Sequence, residues 1–354
     1  MRDRVLACLC ALGFVGALTA PAAAASARVA WRFTPTATQS TLSAVDVVDR
    51  SVVWASGGGF ASGPAGSIVR TVNGGRTWQN ITPPGGAGEE FRDVEAFDRD
   101  HAVVLALANT VTGSPAQVYR TTDGGATWRV AYQSPDATTY YTCMAFFDRR
   151  HGLVVSDPVN GRFPLLVTDD GGRTWKPAED FPPALPGEAT RGSGTCLTAI
   201  GPHDAWFGTD NPNARARVLH TQNRGKTWTA ATTPIPGYPA GILSVAFRDR
   251  RHGLAVGGAL PEIRSTAAGT SDAGRTWTRA GAPHGFRTGV AWIPGFKEAA
   301  VMVGVDGSDV SFNGGRTWTL FDRTPLLGVD CLPHVACWTV GEKGLAGELT
   351  RRHH

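Results

Sequence analysis

The octamer TVNGGRTW, beginning at Thr71, constrains this chain more than any other feature, because it returns five times. The copies are TTDGGATW at Thr121, TDDGGRTW at Thr168, TQNRGKTW at Thr221, TSDAGRTW at Thr270 and SFNGGRTW at Ser311. Their tryptophans, Trp78, Trp128, Trp175, Trp228, Trp277 and Trp318, are 50, 47, 53, 49 and 41 residues apart. A period of that length suits a four-stranded propeller blade and not a helical hairpin. A second element precedes each octamer, as in MAFFDRRHGLVVSD from Met144 and VAFRDRRHGLAVGG from Val245. It alternates apolar residues, turns through polar ones and enters a second β-rich run.

These paired runs number seven: they begin near Val45, Val94, Met144, Leu197, Val245, Val290 and Val329. The last copy runs into LAGELTRR without reaching an octamer. The missing strand lies at the other end, where VAWRFTPT at Val29 places Trp31 as RTWQNITP places Trp78. The expected fold is all-β: a seven-bladed propeller of four-stranded antiparallel blades, closed by an N-terminal strand that removes the open edges.

Within the octamer the glycines supply the positive φ that a tight hairpin needs. The acidic position is Asp in three copies and Asn in the others, at Asn73, Asn223 and Asn313. Asn keeps an acceptor oxygen but is no acid, base or anionic metal ligand. The octamer is therefore expected to be geometric, with its Trp packed against the adjoining blade. His151 and His252 recur at one turn of the repeat and are read the same way.

The pattern [S/T]-x-[D/N]-x-G-x-T-W is the Asp-box, or BNR, repeat. With the preceding FxDxxHGLxVG element it resembles the photosystem II assembly and stability factor family and its bacterial relatives, over essentially the whole chain after residue 27. The resemblance implies a seven-bladed scaffold that binds assembling membrane proteins, without established catalysis.

Residues 1–27 read as a secretion signal: MRDR, then the apolar VLACLCALGFVGAL, then small residues with cleavage near Ala25 or Ala27. The expected domain is 28–354, exported to a periplasmic or extracellular space as a monomer. Four cysteines then remain. Cys331 and Cys337 flank a turn and are expected to form a disulfide, whereas Cys143 and Cys196, at one position of adjacent repeats, are expected to stay unpaired.

The enzyme alternatives leave weaker traces. A sialidase would carry three clamping arginines, a Tyr–Glu pair and an Arg-Ile-Pro motif, and FRDV at Phe91 and GRFP at Gly161 do not match. No GxGxxG opens a helix, and no CxxCH is present, so neither a cofactor nor a metal is expected. A net charge of +4, without a basic run, argues against nucleic acid. Propeller topology puts the long, irregular loops on one face and the octamers with the DRRH turns on the other. A protein or peptide partner is expected on the long-loop face, near Arg92, Asp93, Tyr141, Asp157, Arg191, Asp210 and Arg287. The alternative is a glycoside hydrolase with acids in the central funnel, with Asp157 and Asp210 as its first candidates.

Overall fold

The computed structural model describes residues 29–58, 65–107, 113–135, 139–190, 192, 194–237, 241–259, 264–332 and 335–351. Residues 1–27, expected above to be a signal segment, and Arg191 lie outside them. Seven four-stranded sheets follow one another along the chain. Blade one runs, from inside to outside, through Leu42–Val47, Val53–Gly57, Ser67–Thr71 and Gln79–Asn80. Blades two to six repeat this order, with inner strands Phe91–Ala96, Tyr141–Phe146, Leu197–Ile200, Ser244–Phe247 and Gly289–Trp292. Blade seven contributes Leu326–Leu332, Ala336–Gly341 and Leu345–Arg351, and takes its outermost strand, Val29–Pro35, from the other end of the chain. Trp31 stands opposite Leu349 in that antiparallel pair, so the ring closes as the repeat count requires.

The strand sequences follow from their places in the wedge. Second strands such as Ala102–Ala106 (AVVLA) are buried throughout, because both faces of the sheet meet a neighbouring blade. Outer strands such as Gln79–Asn80, Lys176–Pro177 and Thr278–Arg279 are exposed and only two residues long, which leaves little free edge for pairing with other chains. The apolar interior is correspondingly divided into clusters between successive blades. One joins Trp54 and Ile68 of blade one to Phe91 and Val104 of blade two, and another joins Val301 and Val310 of blade six to Val329 and Cys337 of blade seven.

The octamer tryptophans fill these seams. The Trp128 Nε1–H donates to the Ile81 carbonyl of the preceding blade at 2.7 Å, and its ring meets Trp54 edge-on. Trp31 does the same for the closing strand, donating to Ser308 Oγ of blade six at 2.9 Å. The geometry also explains the exchange of Asp for Asn. Asp123 Oδ1 accepts the Thr127 N–H at 2.9 Å, and its Oδ2 accepts the Thr127 hydroxyl at 2.6 Å. In the Asn copy, Asn73 Oδ1 accepts the Thr77 N–H at 3.0 Å, while Nδ2 donates to the Thr77 hydroxyl at 2.8 Å. The threonine hydroxyl reverses its role and the loop keeps its shape. Gly74 and Gly75 supply φ values of 67° and 76°, and a Cβ on Gly75 would lie 2.4 Å from the Trp338 ring.

Both cysteine pairs are disulfides. Cys331 and Cys337 face each other directly across the hairpin of blade seven. The expectation that Cys143 and Cys196 stay unpaired is corrected: they are bonded, with Cα atoms 5.9 Å apart. The wedge between blades is narrowest at the axis. Cys143 in the inner strand of blade three and Cys196, just before that of blade four, therefore come within disulfide reach.

Candidate functional site: the central funnel and the two faces

The inner strands enclose a cavity of about 620 Å³ along the axis. At the long-loop end the chain crosses it. Gly194, leading into blade four, lies against blade one on the opposite wall, and a Cβ there would stand 3.0 Å from Ala44 Cα and 3.3 Å from the Ser43 carbonyl oxygen. Its φ of 58° turns the chain at this point. Thr195 Oγ1 is 2.7 Å from Ser244 Oγ, and the neighbouring Cys196 is held by the disulfide. The cavity is thus a funnel, crossed by the chain at one end and lined at the other by Arg248, Phe296 and Lys297 on the octamer face.

Three carboxyl groups line one side of the funnel: Asp330, Asp46 and Glu95, from blades seven, one and two. They occupy one register of the repeat, where the other blades carry Ala145, Thr198, Ala246 and Ala291. Each also ties its blade to the next. Asp330 Oδ2 accepts the Val47 N–H at 2.9 Å, Asp46 Oδ2 accepts the Ala96 N–H, and Glu95 accepts the Phe146 N–H. Removal from bulk water, reinforced by the Asp330 charge, pushes the Asp46 carboxyl up to about 8. Burial pushes Asp330 up to about 6, and burial with the neighbouring acids raises Glu95 well above the carboxylate range. The site was legible as V-D-V, V-E-A and V-D-C, an acid at the same point of three apolar strands, and our sequence reading passed over it.

The residues expected around the channel mouth are mostly absorbed by the fold. Asp93 is buried and accepts the Val94 N–H at 2.9 Å and the Met144 N–H at 2.8 Å, stitching blade two to blade three. Tyr141 is a core residue, edge-on to Tyr132. Arg92 pairs with Glu90 at 2.9 Å, and Asp157 accepts the N–H and hydroxyl of Thr190 at 2.8 and 2.6 Å. Asp210 is 1% exposed, which removes it from any substrate's reach. Arg287 is fully buried, bonded to Asp309 at 2.8 Å and to Asp306, with His284 Nδ1 on the far side of Asp309 at 2.6 Å. Arg92 and Asp157 come together with Tyr140, whose hydroxyl feels both. Asp210 and Arg287 belong to other blades. Among the described residues no cluster of His, Cys, Asp and Glu fits a metal ion, and no helix is long and apolar enough to cross a membrane.

The closed ring, the octamer seams and the funnel together define an Asp-box β-propeller. Residues 89–238 match the sequence profile of the family described as photosynthesis system II assembly factor YCF48. The solved structure of YCF48 from Cyanidioschyzon merolae superposes over 90% of this chain and 98% of that one, at 17% identity and a TM-score of 0.63. The structure described as YCF48 bound to D1 peptide covers 90% and 94%, at 15% identity and a TM-score of 0.61. A xyloglucanase of glycoside hydrolase family 74 from Xanthomonas campestris matches 84% of this chain but 50% of its own length, at 17% identity and a TM-score of 0.59. No curated protein matches the chain in sequence. The chain is an Asp-box propeller resembling the photosystem II assembly factor family.

Proposed function

We propose that this is an exported, non-catalytic propeller, residues 28–354 after loss of the signal segment, that binds a protein or peptide partner on its long-loop face. The observation that carries the reading is where exposed apolar surface lies. Of the four exposed large hydrophobic residues described, Val159, Leu185 and Val305 are 41%, 40% and 39% exposed and stand on loops of that face, while Val130, at 43%, lies on the outer strand of blade two. Large apolar side chains held out by a rigid scaffold are the anchors of a protein interface. The YCF48 propeller bound to D1 peptide supports the same use of the fold. The experiment is capture of a partner by the parent and by a Val159→Asp, Leu185→Asp, Val305→Asp variant. The variant keeps the parent's melting temperature and loses the partner. Undiminished capture by a folded variant overturns the reading.

A second reading draws on the funnel. Asp46, Glu95 and Asp330 put carboxyl groups of raised and unequal pKa in one cavity, the arrangement a glycoside hydrolase uses for its acid and base. Each already serves as an inter-blade acceptor, which accounts for its presence without chemistry. Cleavage of aryl glycosides that is abolished by Glu95→Gln in a folded protein would establish this reading in place of the first.

A further inference from the structure

The octamer face carries a different surface. In five of the six octamers the residue before Thr-Trp is cationic: Arg76, Arg173, Lys226, Arg275 and Arg316, all exposed. The DRRH turns add Arg150 and Arg251 beside them. The octamer acids form no ion pair with these cations, because their oxygens are taken up by the turn itself, although Asp272 still feels the charge of Arg275. Asp170 and Asp272 each accept the N–H and hydroxyl of the threonine four residues on, as Asp123 does. Arg316 meets Glu298 at 3.1 Å. Among the described residues, Arg76, Arg150, Arg173, Lys226, Arg251 and Arg275 have no carboxylate within ion-pair distance. Arg76 and Arg275 touch only their own turns, donating to the carbonyls of Asn73 and Asp272 at 3.0 Å.

Other acids of this face are engaged by other groups, Asp49 by the backbone N–H groups of Ser51 and Val52 and Asp100 by Arg99. Asp98 pairs with Arg149 and His101, Asp148 with His151 and Arg224, and Asp249 with His252 and Arg248. Asp169 lies 4.0 Å from Lys176. The unpaired cations therefore stand over blades one, three, four and five of this face, a broken annulus with gaps at blades two, six and seven. None of the exposed large hydrophobic residues stands among them.

We propose that this face adsorbs to an anionic lipid surface. A protein partner needs an apolar or aromatic anchor at the centre of its interface, which the annulus lacks. A linear acidic peptide reaches cations on neighbouring blades but not those across the ring. A flat layer of anionic headgroups meets all of them at once, and each exposed Lys or Arg held near such a surface adds to the attraction. Contact through side-chain tips, without apolar insertion, makes the adsorption electrostatic and reversible by salt.

The test is co-sedimentation of the mature protein, residues 28–354, with vesicles of phosphatidylcholine alone, or with about one third phosphatidylglycerol. The parent binds the anionic vesicles and not the neutral ones, and loses at least about 10-fold in affinity between roughly 50 and 500 mM salt. Arg76→Glu, Lys226→Glu, Arg275→Glu together abolish binding, while the same sites changed to Lys, Arg and Lys retain it. Arg162→Glu on the opposite face leaves binding unchanged. The salt series on the parent stands even if the triple variant folds poorly. Equal sedimentation with neutral vesicles, none with either kind, or binding to soluble polyglutamate without binding to vesicles each overturns the proposal. Those results leave the partner reading untouched, because its test uses the other face.

Discussion

The loops of one face and the octamers of the other use arginine differently. On the long-loop face Arg92, Arg162, Arg217 and Arg287 each meet a carboxylate: Glu90, Asp180, Glu188, and Asp306 with Asp309. Long loops leave the β ladder, and ion pairs and side-chain hydrogen bonds hold them in shape. The Glu188 carboxylate, fully buried, accepts from Arg217 and from Thr209 at 2.7 Å, pinning the loop before blade four. On the octamer face the turns hold themselves, through threonine, Asp or Asn, and backbone N–H groups. Their cations, Arg316 excepted, are left over, whereas Arg149, Arg224, Arg248 and Arg250 of the neighbouring turns pair with acids. The difference teaches that an arginine on an irregular loop is no sign of a binding surface, since the loop itself can require it.

The largest test of this contrast removes the frame common to both faces. Deleting residues 30–35 takes away the outer strand of blade seven, together with the Trp31 seam to blade six. It is expected to abolish the cooperative melt, and a variant melting within a degree or two of the parent would show that closure is dispensable. Next comes Arg287→Ala, which leaves buried Asp309 without its guanidinium. It should cost about 3–5 kcal/mol in urea unfolding. Arg287, expected at a partner surface, is instead fully buried between two acids. If Arg287→Ala is as mild as Arg275→Ala, the contrast between the faces fails.

The funnel between the faces gives a pH signature. The Asp46 pKa is raised on folding, so its contribution to stability is complete below the ordinary carboxylate pKa near 4 and is lost as pH rises toward about 8. Melting temperature should therefore fall between pH 5 and 8. Asp46→Asn keeps an acceptor for the Ala96 N–H and should recover roughly 2 kcal/mol at pH 8, with little change at pH 4. Parallel melting curves for variant and parent at every pH would show that the carboxyl is not held neutral. The smallest effects belong to the octamer face. Arg275→Ala should lie within about 0.5 kcal/mol of the parent. Asp123→Asn should leave the melting temperature unchanged, because Asn73 already makes the equivalent bonds.

Much of the architecture was legible in the chain, because a propeller writes its fold in a local code. Trp31 could be matched to Trp78 without coordinates, since both occupy the same seam. The funnel acids were half legible. Their shared register is a sequence fact, but their approach to one another depends on blades seven, one and two meeting at the axis. The Cys143–Cys196 bond was not legible, because repeat alignment shows that positions are equivalent and says nothing of how far apart they are.

The sequence by itself determined the number of blades, the closing strand and the geometric role of the octamer, all of which follow from turn chemistry and apolar spacing within about fifty residues. Tertiary structure alone decided the rest: which arginines are bound to acids and which stand free, where the funnel is closed, and which cysteines meet. Those are properties of distance between residues far apart in the chain. Coulomb attraction, desolvation and disulfide geometry all depend on such distances, and local spacing does not encode them.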